Sequence, residues 1–316
     1  MDKIAILIPC YNEAVTIRQV VESYKTAIPE AVIYVYDNNS ADDTAAIARE
    51  AGAIVRHEYQ QGKGHVIRSM FRDIDAECYL MADGDGSHPS AHAREMTDCV
   101  LDGSADMVIG DRLSSTYFQK NKRLFHSAGN KLVRFMINTL FKSDVHDIMT
   151  GYRALSYLFV KTYPVRSQGF ELETEMTIHA LDKKFKVKNV VVGFVERQEG
   201  TVSTLNTSTD GLRVIKTTLN LYKNYRPLAF FSLFAFVLLL AAAVLFLPVL
   251  WEFFQTSLVP RLPTLVFSGF LGMSSLLCLT IGLVLDVIIQ GNNQEFELRI
   301  IEAKTMRDIK EKLERI

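Results

Sequence analysis

The chain has 316 residues, 48% hydrophobic and 22% charged, with 35 basic residues against 36 acidic ones. So even a balance leaves no electrostatic footprint for nucleic acid, and that partner is set aside. The four cysteines, Cys10, Cys78, Cys99 and Cys278, have no paired spacing, which argues against a disulfide framework or a zinc site.

The chain opens on a charged residue and a strand-like run, so no cleavable signal peptide is expected. Short β-rich runs at Ile4 to Pro9, Val32 to Asp37, Ile54 to His57, Tyr79 to Asp83 and Met107 to Asp111 alternate with helical patterns starting near Glu13, Ala41, Lys63 and Ala91. This alternation predicts an α/β domain with a mostly parallel sheet between helices. In such sheets ligands bind beyond the carboxyl ends of the strands. Those positions hold Tyr11, Asn12 and Glu13; Asp37, Asn38, Asn39 and Ser40; Asp83, Gly84 and Asp85; and Asp111 with Arg112.

At the end of the second run, Asp37 is placed where a carboxylate accepts hydrogen bonds from a nucleobase imide or a ribose hydroxyl. Just after it, Ser40 or Asp42 is available to cap the next helix. Gln61-Gly62-Lys63-Gly64-His65 has the glycines and lysine of a phosphate loop. It fails the strict pattern, because Gly64 stands where Ser or Thr is required, and it reads as a flexible contact loop.

The most informative cluster is Asp83-Gly84-Asp85-Gly86-Ser87-His88-Pro89, directly after an apolar run. Alone, Asp-x-Asp is an ordinary surface turn. Here it follows a strand and pairs with the acidic turn after Asp37, so Asp83 and Asp85 are candidates to hold a divalent cation, Mg2+ or Mn2+, that bridges a diphosphate. Gly84 lets the backbone approach a nucleotide closely. Further on, Arg123 and Ser127 can donate hydrogen bonds to a phosphate or simply begin a solvated helix. Glu171 and Glu173 can contact sugar hydroxyls or serve as helix-start acids.

From Asp210 to Arg226, Leu212, Ile215, Leu219 and Tyr222 fall at helical spacing among Arg213, Lys216, Lys223 and Arg226. That pattern suits a helix at the headgroup level or one packed on the sheet. Leu228 to Leu250 and Leu265 to Leu285 then run for 23 and 21 residues without Asp, Glu, Lys, Arg or His. About 20 helical residues cross a bilayer, so the pair predicts a membrane hairpin whose connector, Trp251 to Thr264, contains Pro260 and Pro263. Basic residues crowd both flanks and not the connector, which places both termini on the cytosolic side. Within the charged tail, Met306, Ile309, Leu313 and Ile316 form an apolar stripe fit for self-association, as in a homo-oligomer, or for surface packing. The expected division is a catalytic domain at 1–208, a juxtamembrane helix at 209–227, the hairpin at 228–289 and a helical tail at 290–316.

Taken together, Ile8-Pro9-Cys10-Tyr11-Asn12-Glu13, Asp83-Gly84-Asp85, Gly110-Asp111-Arg112, Asp147-Ile148-Met149-Thr150-Gly151-Tyr152-Arg153-Ala154, Gly169-Phe170-Glu171-Leu172-Glu173, Asp210-Gly211 and Tyr225-Arg226-Pro227 resemble, in order, the inverting glycosyltransferases of the family 2 type. They are most similar to polyprenyl-phosphate glycosyltransferases such as dolichyl-phosphate mannose synthase and its undecaprenyl-phosphate relatives. The resemblance covers about residues 1 to 230. It implies a GT-A fold and transfer of a sugar from a nucleoside diphosphate sugar to a polyprenyl phosphate at a bilayer, in bacteria the inner membrane.

It also implies that Pro9, Tyr11, Glu13 and Asp37 hold the nucleoside, and that Asp83 and Asp85 reach ribose, diphosphate and metal. Ser87 takes a position that often supplies a further metal contact, Arg112 and Arg197 approach the phosphates, and Arg123 and Ser127 contact the lipid phosphate. One departure is Thr204, in Ser203-Thr204-Leu205-Asn206, where relatives usually carry lysine. A processive polysaccharide synthase would be expected to show Gln-x-x-Arg-Trp, but the only tryptophan, Trp251, lies in the hairpin connector. A sugar nucleotidyltransferase would leave the hairpin unexplained, and a noncatalytic scaffold would have little need of Asp83, Asp85 and Arg112 together.

Overall fold

The computed structural model describes residues 1–114, 134–165, 172–193 and 223–313. Contacts divide the chain into two compact units, Met1–Asp210 with Leu298–Ile316, and Gly211–Glu297.

The first unit is built on a seven-stranded sheet. In chain order its elements are β1 (Asp2–Cys10), α1 (Ile17–Ala27), β2 (Val32–Asp37), α2 (Thr44–Glu50), β3 (Ile54–His57), α3 (Lys63–Asp73), β4 (Ala76–Met81), α4 (Ala93–Leu101) and β5 (Met107–Asp111). A helical run α5 at 134–141 follows, then β6 (Arg153–Ser156), α6 (Tyr157–Thr162), α7 (Leu172–Asp182) and β7 (Val187–Val191). The strand order is β3-β2-β1-β4-β6-β5-β7. All neighbours run parallel except β6, which is antiparallel to both β4 and β5. This mixed, mostly parallel sheet is a GT-A-like fold.

Burial explains the layering. Ile4 to Ile8 of β1 are entirely buried, because helices cover both faces of the sheet and a continuous apolar run is what such a strand requires. In α1, Ile17, Val20, Val21 and Tyr24 recur at helical spacing and enter the same core as Met96 and Val100 of α4. The edge strand β3, by contrast, is largely exposed.

Two strands were not expected. The run of β6 is only four residues and opens on Arg153, a poor strand signal. Yet Arg153 is fully buried, donating from Nε to Thr150 O (3.0 Å) and from Nη2 to Ile148 O (2.8 Å). Burial pulls its pKa down to about 10, so it stays charged near neutral pH and ties the 147–152 loop to the sheet. The other is β7, whose Lys188 and Asn189 break its apolar pattern.

Several boundaries also move. The first helix starts at Ile17, not near Glu13, because Asn12 adopts a left-handed φ of 56° and Glu13 to Thr16 form a turn. The second starts at Thr44 with Asp43 at its N-cap and no side-chain capping bond, so the capping expected of Ser40 or Asp42 is not made; Asp42 Oδ1 instead accepts from Thr44 N (3.1 Å) in the turn that leads into the helix. The fourth strand stops at Met81, leaving Asp83 just beyond it.

In the second unit, α8 (Pro227–Thr256) and the start of α9 (Leu262–Leu313) are long and apolar enough to cross a membrane, with mean hydropathies of 3.0 and 2.2 over their most apolar windows. The connector is shorter than Trp251 to Thr264, since both helices run into it and the chain turns at Ser257 with φ 52°. The helices meet along a seam of small residues. Ala235, Ala242 and Val249 are buried at seven-residue spacing, as are Ser268 and Ser275. Ser275 Oγ donates to Ala235 O at 2.7 Å, and a Cβ on Gly282 would lie 3.0 Å from Phe231 Cβ. Small residues let two apolar helices approach closely where no water drives them together. Leu233, Phe236, Leu240, Phe267 and Leu276 stay exposed, as lipid-facing positions would.

The last turns of α9 belong to the first unit. Lys310 Nζ lies 2.5 Å from Asp75 Oδ2, and Lys161 Nζ lies 2.9 Å from Asp75 Oδ1 while donating to Phe71 O and Ile74 O at 2.7 Å each. Met306 and Ile309 of the expected stripe are exposed, whereas Ile316 falls outside the described residues.

Candidate active site

The carboxyl ends of β1, β2 and β4 bring together the acids picked out in the sequence. Asp83 is only partly exposed, and its Oδ1 accepts from Lys63 Nζ at 2.7 Å. The same ammonium donates to Glu173 Oε1 at 2.8 Å, and the Glu173 side chain is 4% exposed. Burial alone would lower the Lys63 pKa and raise that of Asp83. Their mutual attraction, with Glu173 adding to it on the lysine side, outweighs burial, so the lysine stands above and the aspartate below its ordinary value. Arg112 contributes to the same field and also lowers Asp83.

The backbone around this pair is closely fitted. A Cβ on Gly151 would lie 3.0 Å from Lys63 Nζ and 3.1 Å from Asp83 Oδ2, so any larger residue there would press on the pair. Gly84 is constrained in the same way, since a Cβ there would meet Cys10 Sγ at 2.7 Å. Thr16 Oγ1 donates to Gly84 O at 2.7 Å and links the turn to the start of α1. Asp85 is buried, and its Oδ1 accepts from Ser87 N at 3.0 Å, which shapes the turn. His88 stacks on Tyr152 with centroids 5.0 Å apart, and its Nδ1 accepts from Asp83 N at 3.1 Å. Burial lowers its pKa, so the neutral ring acts as an acceptor here.

The presentation of Lys63 starts at Asn38. Its Nδ2 donates to Glu58 O and Gln60 O, each at 2.9 Å, and its Oδ1 accepts from Gly62 N at 2.7 Å. One side chain thereby clamps the segment that was expected to be a flexible loop. Gly62 turns with a φ of 129°, and Lys63 opens α3 directly into the cluster.

Beside this, Arg112 is held by Asp147, with Nε to Oδ2 at 2.8 Å and Nη2 to Oδ1 at 3.3 Å. Burial would depress the Arg112 pKa, but the Asp147 carboxylate more than offsets it. Asp111 is fully buried, accepting from Ser114 N at 3.0 Å and facing His146 Nδ1 at 2.9 Å. Of the nucleoside positions, Pro9 lies in β1, Tyr11 is half exposed beyond it, and Glu13 N donates to Thr44 Oγ1 at 2.8 Å. Asp37 ends β2 and is buried.

The structure thus gathers Tyr11, Glu13, Asp37, Asp83, Gly84, Asp85, Ser87, Arg112 and Glu173 onto elements of one unit. Arg123, Ser127, Glu171, Arg197 and Thr204 lie outside the described residues. Sequence reasoning placed Lys63, Asn38, His88 and Asp147 in motifs or at the sheet edge but assigned none of them a role in the site. The signal for Lys63 was its place at a strand-to-helix turn on the carboxyl edge, which the failed phosphate-loop pattern obscured.

The donor set suits a hard divalent cation. Among the described residues no three His, Cys, Asp or Glu side chains form a ready cage. Two carboxylates one residue apart are nevertheless the protein share that Mg2+ usually takes, with substrate phosphates and water completing its shell.

An α/β fold with acidic and basic side chains paired at the carboxyl edge of a mostly parallel sheet is the class that this geometry defines. Comparison with known proteins makes it specific. Glycosyl transferase family 2 matches residues 5–162. The glycosyltransferase AglJ of Haloferax volcanii is 32% identical over 232 residues, covering 73% of this chain and 76% of that protein. The polyprenol monophosphomannose synthase of Mycolicibacterium smegmatis is 28% identical over 212 residues, covering 62% and 78%. Among solved structures, glucosyl-3-phosphoglycerate synthase from Mycobacterium tuberculosis, in complex with Mn2+, UDP-glucose and phosphoglyceric acid, superposes with a TM-score of 0.55 at 19% identity over 70% of this chain and 79% of that one. The chain belongs to glycosyl transferase family 2.

Proposed function

We propose that this enzyme transfers a sugar from a nucleoside diphosphate sugar to a polyprenyl phosphate, with its active site on the cytosolic face of a membrane that α8 and α9 span. The observation that carries the reading is the meeting of Asp83, Asp85, Lys63 and Arg112 at the carboxyl edge of the sheet, in a chain that also holds two apolar helices. The name of the mycobacterial relative, a polyprenol monophosphomannose synthase, supports the acceptor class. The division at residues 208, 227 and 289 belongs to the same reading.

Departure of a nucleoside diphosphate develops negative charge that must be stabilised where it appears. Asp83 and Asp85, with Ser87 beside them, would hold an Mg2+ or Mn2+ ion, which when bound supplies Lewis-acid stabilisation of the diphosphate. Arg112, braced by Asp147, and Arg197 would face the phosphates. Pro9, Tyr11, Glu13, Asp37 and Gly84 would seat the nucleoside, and Glu171 and Glu173 the sugar hydroxyls. Arg123 and Ser127 would position the acceptor phosphate, which is already anionic near neutral pH and needs little help from a general base. Asp83 is kept ionised by Lys63, so the cleft presents a carboxylate to its ligands across the neutral range.

The test is to incubate the purified full-length protein with a panel of nucleotide sugars, undecaprenyl phosphate and Mg2+, and to weigh the lipid product. A hexosyl phospholipid is the expected product. Release of pyrophosphate from a nucleoside triphosphate, with no glycolipid, would overturn the reading.

A further inference from the structure

Asp37 is the register partner of Cys10 on one side and of His57 on the other, so its carboxylate emerges between the ends of β1 and β3. Its two oxygens have different surroundings. Oδ1 is enclosed and has no hydrogen-bond partner among the described residues. Oδ2 faces His57 Nδ1 at 3.2 Å and accepts from Ser40 N at 3.4 Å. Because Oδ2 is a carboxylate oxygen, the ring nitrogen facing it is the protonated one, which fixes the tautomer. Tyr59 packs edge-on against the His57 ring with centroids 4.6 Å apart, and Asn38 clamps the residues that follow. The His57 side chain is 40% exposed against 7% for Asp37, so Oδ2 is on the solvent side. Tyr11, half exposed one residue past Cys10, offers an aromatic face at the same edge.

We propose that His57 is a positioning residue that holds Asp37 so that only one carboxylate oxygen can meet the donor's nucleobase, and that this single acceptor selects uracil. The inference rests on the reading of the cleft as a nucleoside diphosphate sugar site. The edges of the bases decide the match. Uracil presents one imide N–H between two carbonyls, which Oδ2 satisfies by accepting it in place of the long 3.4 Å bond from Ser40 N while keeping that from His57. Guanine presents an adjacent ring N–H and amino group, which call for both oxygens side by side, and here one of them is enclosed. Cytosine turns a bare ring nitrogen toward the carboxylate, which repels it. With His57 absent, the carboxylate can turn about its broad terminal torsion and bring both oxygens outward.

The test is calorimetric titration of the full-length protein in detergent with UDP, GDP and CDP, each with Mg2+. UDP is expected to bind at least about tenfold more tightly than GDP or CDP, the effect of one charge-assisted hydrogen bond. His57→Ala should bring UDP and GDP within about threefold of each other, mainly by weakening UDP, and His57→Gln, which keeps an N–H donor, should restore most of the preference. If His57→Ala fails to fold, the wild-type ranking and His57→Gln still decide. Equal losses for all three nucleotides in His57→Ala would reduce His57 to a structural role and overturn the proposal. So would tighter binding of GDP by the wild type, although the functional reading would stand. Failure of every nucleoside diphosphate to bind would overturn both.

Discussion

Replacing Lys63 by methionine removes the cation shared by Asp83 and Glu173 and keeps most of the side chain's volume. The two bonds, 2.7 and 2.8 Å long, meet at one nitrogen, so the carboxylate oxygens lie within about 5.5 Å of each other. With the charge gone they repel by about 3 kcal/mol at an effective dielectric constant near 20. The lost charge-assisted bonds would add about 1.5–3 kcal/mol each if fully buried. Lys63 and Asp83 are 21% and 27% exposed, so water relieves part of both effects. A destabilisation of about 2–4 kcal/mol is expected, or about 5–15 °C in unfolding midpoint for a unit of this size. Thermal unfolding followed by intrinsic fluorescence in detergent measures it. Transfer activity should fall by at least about 100-fold, because Asp83 loses its orientation. Adding Glu173→Gln removes the repulsion and should recover about half of the stability without recovering activity. If Lys63→Met leaves both midpoint and turnover unchanged, the ion pair does not organise the cleft and the reasoning fails.

Asp85→Asn keeps an oxygen for the Ser87 N–H and should leave the midpoint within about 2 °C, yet reduce metal-dependent transfer by at least about 100-fold in a Mg2+ titration. Gly84→Ala drives a methyl into Cys10 Sγ and should cost about 1–3 kcal/mol in a denaturant melt, a loss that Cys10→Ala largely reverses. Arg112→Lys leaves the fully buried Asp147 without its paired donors and should cost about 2–3 kcal/mol along with most of the activity. Burial pushes the Asp75 carboxyl up, but Lys310 and Lys161 hold it below the ordinary 3.8. A depressed carboxylate contributes stability above its unfolded pKa and loses it as pH falls through the folded one. The docked tail should therefore resist trypsin at Arg307 and Lys310 at pH 7, and Asp75→Asn should speed those cuts severalfold, as judged by intact-mass analysis. For the acceptor side, Arg123→Ala should reduce transfer to lipid phosphate more than donor hydrolysis, and equal losses in a paired assay would argue for a structural role.

Period and position made much of this protein legible from its residues alone. A strand buried on both faces must be continuously apolar, so β1, β2, β4 and β5 declared themselves. The rule that ligands meet the carboxyl ends of parallel strands then selected Asp37, Asp83, Asp85 and Arg112. The two charge-free runs identified α8 and the first half of α9, since length and hydropathy are properties of a segment. Other features depend on residues far apart in the chain. β6 is a strand because Arg153 finds its acceptors in the loop before it and its neighbours in β4 and β5, which no local propensity encodes. Lys63 became a site residue only when Glu173, 110 positions away, came within 2.8 Å of it. Asn38 became a clamp because the chain returned past it after β3. Local sequence fixes periodicity, helix length and strand-end chemistry, because those follow from covalent neighbours. Tertiary structure alone settled which charges share a space, and an ion pair depends on distance in space rather than separation along the chain.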